Sequence, residues 1–204
     1  DALQLYVNQA AVAYDSARLI EELRHMRQAA ETLAQTAGVP EVLQQIVESA
    51  KQVLQADSAF IGSYSAVDGR FTPEHSKASA GTPAEWWQEL LATGPREDGT
   101  AFTIIKEGWV SVQDTDDLEA YPFLGGPTQS LLRHIHAKSF QGVALGMEKE
   151  PLGVLYVNYN RPRYFSEEER KTAMTFANHA TLALKKAKLL ELRSQARDTA
   201  VSVA

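Results

Sequence analysis

The chain has no cysteine and five histidines, His25, His75, His134, His136 and His179. Without a thiol there is no thiolate metal site, cysteine nucleophile, disulfide or thioether-linked chromophore. His134 and His136 are the histidines closest in sequence. Two positions apart on a helix their rings diverge, and only extended chain would turn both to one face. Metal binding is therefore not supported, and haem ligation by a histidine stays open without support. The acidic run Asp114, Asp116, Asp117 and Glu119 lacks the glycine and regular spacing of a calcium loop, and reads as a solvated loop with capping duty. No spacing suggests a Ser-His-Asp arrangement, and "SEEER" (166–170) reads as a solvated helix start. The aromatic residues Trp86, Trp87, Trp109, Tyr121 and Phe123 carry more promise. Ligand pockets are apolar and aromatic with a few polar groups, so these side chains either line a pocket or fill a core of their own.

Those residues need elements to hold them. Residues 3–35 lack Gly and Pro and are rich in helix formers, which predicts a long first helix. Its apolar residues Tyr6, Ala10, Ala13, Ala17 and Ile20, and Leu19, Leu23, Met26, Ala30 and Leu33, step by four and three, the spacing of helices packed lengthwise. Gly38 stands where a helix-ending residue is expected. A second helix follows from Pro40 to Gln55, with one apolar face. "SAFIGSYSA" (58–66) predicts a strand, Asp68-Gly69 a hairpin turn, and Phe71 to about Ala80 a polar return strand. Thr82, Pro83 and Glu85 form a capping box for a short helix. After it come a helical turn, a strand from Trp109 to Gln113, a loop from Asp114 to Gly126, and the short helix "PTQSLLRHIHA". "SFQGVALGM" and "LGVLYVNYN" are two strong strands joined by the turn "EKEP". Ser166 and Glu169 make a second capping box, opening a helix to about Arg197. This order predicts an α+β domain with an antiparallel sheet and helices on its faces.

Composition narrows the function classes. Hydrophobic residues make up 44% of the 204, enough for a true core. The formal net charge is -6 with no Lys/Arg block, which argues against nucleic acid as partner. No run of about 18 apolar residues exists to span a membrane. No phospho-acceptor His motif or nucleotide-binding Gly loop is present, so phosphotransfer is not expected from this segment.

The front of the chain echoes its end. "YVNQAAVAYDSARLIEELR" (6–24) aligns without gaps on "FANHATLALKKAKLLELRS" (176–194). Asn8 meets Asn178, Ala10 meets Ala180, Ala13 meets Ala183, Ala17 meets Ala187 and Leu19 meets Leu189. A repeat with a domain-sized period implies an array. The chain opens mid-helix without Met, so residues 1–37 are expected to be the linker helix that ends a preceding domain of the same kind.

The stretch "KSFQGVALGMEKEPLGVLYVNYNRPRYFSEEERKTAMTFANHATLALKKAKLL" resembles the ending of a GAF domain, the small-molecule-binding regulatory module of signalling proteins. It has the Ser-led strand, polar hairpin, Gly-Val-Leu strand, aromatic, acidic cap and Ala-x-x-Ala helix. "GTAFTIIKEGWVSVQDTDD" resembles the family's helix-Gly-strand-Asp segment. The resemblance covers about residues 38–192 and leaves 193–204 as the start of a C-terminal linker helix. It implies a PAS-related antiparallel sheet of five or six strands. Helices would cover one face and a roof of short helices and loops the other, with the ligand cavity under the roof. It also implies a sensory role in a cytoplasmic, multi-domain, two-component-type protein whose output is a histidine kinase, cyclase or response regulator. On this resemblance Trp87, Trp109, Asp114, Phe123, His134 and Tyr156 are the candidate pocket residues. The terminal helices are expected to form a homodimer through Ala10, Ala13, Ala17, Leu19, Leu23, Met26, Ala180, Ala183, Ala187 and Leu190. Bilin cannot attach covalently without Cys, and the sulfoxide reductases of the family use cysteines, so that activity is not expected. The cyclic-nucleotide signature of the phosphodiesterase branch is absent. The cofactor, if any, is not named by the sequence, and a ligand-free dimerising spacer is the alternative.

Overall fold

The computed structural model describes residues 38–72, 76–83, 98–147 and 149–202. The expected helix over residues 3–35 and nearly all of the one expected after Thr82, with Trp86 and Trp87, lie outside the described residues.

Helix α1 (Val39–Val53) has Pro40 in its first turn, where a missing N–H costs nothing. Gly38 is the N-cap of α1, with φ -71° and ψ 174°, and the helix it was expected to end lies outside the described residues. Val39, Val42, Leu43, Ile46, Val47 and Ala50 are buried at the three-and-four spacing of one helix face. Each larger side chain so buried is worth about 1.5–3 kcal/mol.

Strand β1 (Ser58–Ser65) turns at Gly69, whose φ of 63° suits glycine, into β2 (Arg70–Phe71). The expected return strand is two short pieces. β2 pairs one end of β1 and β3 (Ser79–Ala80) pairs the other. Between them a side chain replaces the ladder: Ser63 N donates to Ser76 Oγ at 2.8 Å, and Ser76 Oγ donates to Thr72 O at 2.7 Å. Helix α2 (Thr100–Glu107) ends at Gly108, φ 78°, whose N–H bonds Ile104 O at 2.8 Å. Strand β4 (Trp109–Val112), a 3-10 turn (Pro122–Leu124) and helix α3 (Pro127–His134) follow. Strands β5 (Ser139–Met147) and β6 (Glu150–Tyr159) form the longest hairpin. Met147 pairs with Glu150, so Glu150 and Pro151 belong to β6, not to the turn.

Helix α4 (Glu167–Ser202) opens on a reciprocal capping box. Glu169 N donates to Ser166 Oγ at 3.2 Å, and Ser166 N to Glu169 Oε2 at 2.8 Å. The helix runs unbroken past residue 192 into the stretch expected to start a C-terminal linker helix.

The sheet has six antiparallel strands, in the order β2-β1-β6-β5-β4 with β3 beside β1. Two cores lie on its two faces. α1 and α4 cover one, packing on Ile61, Val143, Leu145, Leu155 and Val157. α2, α3 and the 3-10 turn roof the other. Ala180, Ala183 and Ala187, expected in a dimer seam, are buried in the first of these cores, and Leu190 is half-buried. Small side chains let α4 lie close on its own domain. The outward stripe of α4 is instead Leu182, Leu189 and Leu192.

Candidate ligand site

Strand alternation sorts the sheet residues between the two cores. Phe60 and Tyr64 of β1, Phe140 and Ala144 of β5, and Val154 and Tyr156 of β6 face the roof. The Phe60 and Tyr156 rings stack with centroids 4.8 Å apart, and Phe140 lies 6.2 Å from Tyr156. Tyr64 meets Phe71 and Phe102 edge-on at 5.1 and 6.1 Å. From above come Ala101, Ile104 and Ile105 of α2, Leu124, and Leu131 and Leu132 of α3. At Gly142 this roof sits directly on the floor, since a Cβ there would be 2.2 Å from Ile104 Cδ1.

Two polar groups interrupt the apolar floor. Asn158, 1% exposed, follows Tyr156 on the same face of β6. Its Nδ2 donates to Ser58 Oγ at 3.3 Å, while its Oδ1 is buried without a partner. Such an acceptor is uncommon in folded proteins and calls for a donor. Burial pushes the Tyr156 phenol far above the ordinary tyrosine value, so it stays a neutral donor. Together they can recognise a ligand by hydrogen bonds and ring stacking, and neither is a nucleophile activated by a base.

The structure places the expected pocket residues differently from one another. Tyr156 is in this floor, and Phe123 packs against the roof core, with its carbonyl accepting from Thr100 Oγ1 at 3.1 Å. Trp87 lies outside the described residues. Trp109 faces the other way, because it alternates with Val110 and Val112 on β4. Its Nε1 donates to Gln141 Oε1 at 3.2 Å, and Arg170 of α4 lies 5.8 Å from its ring. It is therefore part of the helix-side layer and not of a cavity under the roof. Asp114 folds back on its own loop, accepting from Asp116 N at 3.0 Å. Beside it Lys138 Nζ bonds Asp116 Oδ2 at 2.9 Å and holds that carboxyl below its usual range.

His134 is the last residue of α3 and points away from the sheet. With Gly126, Gln129, Ser130, Arg133 and His136 it lines a groove of about 630 Å3 along the outer side of α3. The two histidines line this one groove although they are two positions apart. The helix stops between them, and His136 takes a left-handed conformation with φ 57°. Among the described residues no group of three or more His, Cys, Asp or Glu is placed to hold a metal. None of the helices they form is long and apolar enough to cross a membrane.

Sequence reasoning missed Phe60, Ser58, Asn158 and Arg133, and weighed His136 only as half of a metal pair. Asn158 had a visible signal: it is the polar residue between Val157 and Tyr159 in an otherwise apolar strand. His136 had none, since nothing local announces a left-handed histidine.

No curated protein sequence matches the chain. Solved structures do match in fold. The GAF domain of the Acinetobacter phosphoenolpyruvate-protein phosphotransferase is 19% identical at a TM-score of 0.61, covering 83% of this chain and 94% of that one. The free methionine-R-sulfoxide reductase of Neisseria meningitidis, determined in complex with its substrate, is 14% identical at 0.61, covering 86% and 93%. The chromophore-binding domain of a bacteriophytochrome from R. palustris is 15% identical at 0.59, covering 85% of this chain and 63% of that one. At such identities the likeness is one of fold. The sequence itself matches the GAF domain family over residues 36–185, well over half of the chain, and the chain therefore belongs to that family.

Proposed function

We propose that this GAF domain is the sensory or regulatory module of a larger two-component-type signalling protein. In this reading it binds a small, uncharged ligand noncovalently on the roof face of the sheet. The observation that carries the reading is the buried, unpartnered Oδ1 of Asn158 beside the neutral Tyr156 phenol in an apolar aromatic floor. A ligand N–H or O–H would satisfy that acceptor while its ring stacks on Phe60 and Tyr156. Support by analogy comes from the reductase caught with its substrate and the chromophore-binding domain, which share the fold.

The signal would leave through α4. Thr181 Oγ1 accepts from Gly146 N at 2.9 Å, which ties this helix to the β5–β6 hairpin. A ligand shifts the helix arrangement only if it binds one arrangement more tightly than the other. The module would act as a homodimer in which Leu182, Leu189 and Leu192, spaced by seven and three, meet their copies. A kinase, cyclase or response-regulator output belongs to the same proposal.

A thermal-shift screen with uncharged metabolites tests the ligand. At least one compound is expected to raise Tm in the native chain and to lose that effect in Asn158→Leu. A flat screen, or an equal shift in both chains, overturns the assignment to this floor. The close seating of Ile104 on Gly142 favours a second reading, a ligand-free dimerising spacer. That reading expects the flat screen together with a dimer.

A further inference from the structure

The groove on the outer side of α3 is separate from the floor just described. Leu131, Leu132 and Ile135 turn the inner side of this segment into the roof core. Gln129, Ser130, Arg133, His134 and His136 turn the other way and line the groove. We propose that this groove is a second binding site, for a small anion carrying a phosphate or several carboxylates.

Chemistry and placement carry the proposal. The groove has the volume of an ordinary small-molecule site, which runs to several hundred cubic ångströms. It is lined by one guanidinium, two imidazoles, an amide and a hydroxyl, and by no carboxylate among the described residues. Arg133 offers a planar fork of donors suited to phosphate or carboxylate oxygens. Asp116 is engaged chiefly by Lys138 at 2.9 Å, with Arg133 a lesser influence on the same carboxylate. The Arg133 side chain is itself exposed and lines the groove.

The second observation is His136. It occupies the position just past the end of α3 where glycine is the usual residue. Its N–H bonds Arg133 O at 3.2 Å, and Ala137 N bonds Leu132 O at 2.9 Å, which closes the helix end and imposes φ 57°. Thr115 Oγ1 donates to Ala137 O at 2.9 Å and fixes the next residue in turn. A glycine would relieve the left-handed cost but would present nothing to the groove. Histidine here exchanges some stability for an imidazole beside Arg133.

The test is a two-dimensional amide NMR titration of the full chain with inorganic phosphate and with citrate, at constant ionic strength in chloride. Shifts confined to residues 126–137 are expected with at least one anion. Arg133→Gln should weaken that response about tenfold or more, the loss of a charge-assisted contact. His136→Gly should weaken it too while raising Tm by about 2–4 °C, as strain is removed. Response to phosphate alone identifies a phosphate site, and to citrate alone a polycarboxylate site. No shift with either anion at millimolar concentration, or a native response in Arg133→Gln, overturns the proposal. So does a loss of response in His136→Gly that comes with a fall in Tm, since the residue would then be structural. None of these readouts depends on the roof-face ligand, so failure of one site leaves the other standing.

Discussion

At the scale of single residues, the roof layer is set by two opposite demands, close packing at Gly142 and polarity at Tyr156 and Asn158. Gly142→Ala would put a Cβ 2.2 Å from Ile104 Cδ1. A loss of about 1–3 kcal/mol is expected in urea denaturation. Ile104→Val in the same chain removes the closer of the two colliding carbons, Cδ1 but not Cγ1 at 2.8 Å, and should recover part of it. A full loss in the double variant would mean that the collision is not the cause. Tyr156 gives a pH prediction with a fixed sign. Its folded value lies far above the 10.0 of an unfolded tyrosine because burial disfavours the phenolate. Above pH 10 the unfolded chain sheds this proton and the folded chain keeps it, so stability is whole below pH 10 and falls as pH rises. Tyr156→Phe should reduce that alkaline loss in denaturation curves taken from pH 9 to 11, leaving the share of Tyr159, whose phenol burial also raises. An unchanged slope would place the burial elsewhere.

At the scale of elements, α4 depends on how it starts. Ser166 and Glu169 satisfy each other's backbone N–H groups, and Glu169 also pairs with Arg163, whose guanidinium covers the Tyr159 ring at 4.3 Å. One cap therefore fixes the helix to the end of β6. Ser166→Ala is expected to cost about 1 kcal/mol in chemical denaturation. Hydrogen exchange should rise in the first turn of α4 before it rises in β5 or β6. The capping box, the five long elements and the β5–β6 hairpin were all legible in the sequence, because each rests on residues close together in the chain. The split of the polar return strand into β2 and β3 was not, since it depends on Ser76 reaching back to Ser63.

At the scale of the whole molecule, the proposed homodimer would have the two faces of α4 separate folding from assembly. Ala183 is buried against the helix-side core, while Leu189 is 49% exposed. Ala183→Glu should therefore lower stability by several kcal/mol, the cost of burying an unpaired charge or of rearranging the helix around it. If the proposed homodimer forms, Leu189→Glu should leave Tm of the monomer within a degree or two and reduce the mass measured by light scattering to that of a monomer. If Leu189→Glu dimerises like the native chain, the stripe is not the seam. Ala180, Ala183 and Ala187 were expected in a dimer seam and are buried in the core of their own domain. Which partner they pack on could not be read, because a period of 3.5 marks a buried stripe without saying whose core buries it.

The same division holds for the candidate site. By itself the sequence determined the five long elements, the α+β class and the family, since propensity, caps and periodicity act over a few residues. It also excluded thiol chemistry outright, because no cysteine is present. The tertiary structure alone decided which face each aromatic serves. Trp109 and Tyr156 were equal candidates along the chain, yet the pleat sends one under α4 and the other under the roof. It alone showed Asn158 with an unmet acceptor, and His134 and His136 brought to one groove with Arg133. Those relations join residues through strand register and a left-handed helix end, and neither is written in local composition.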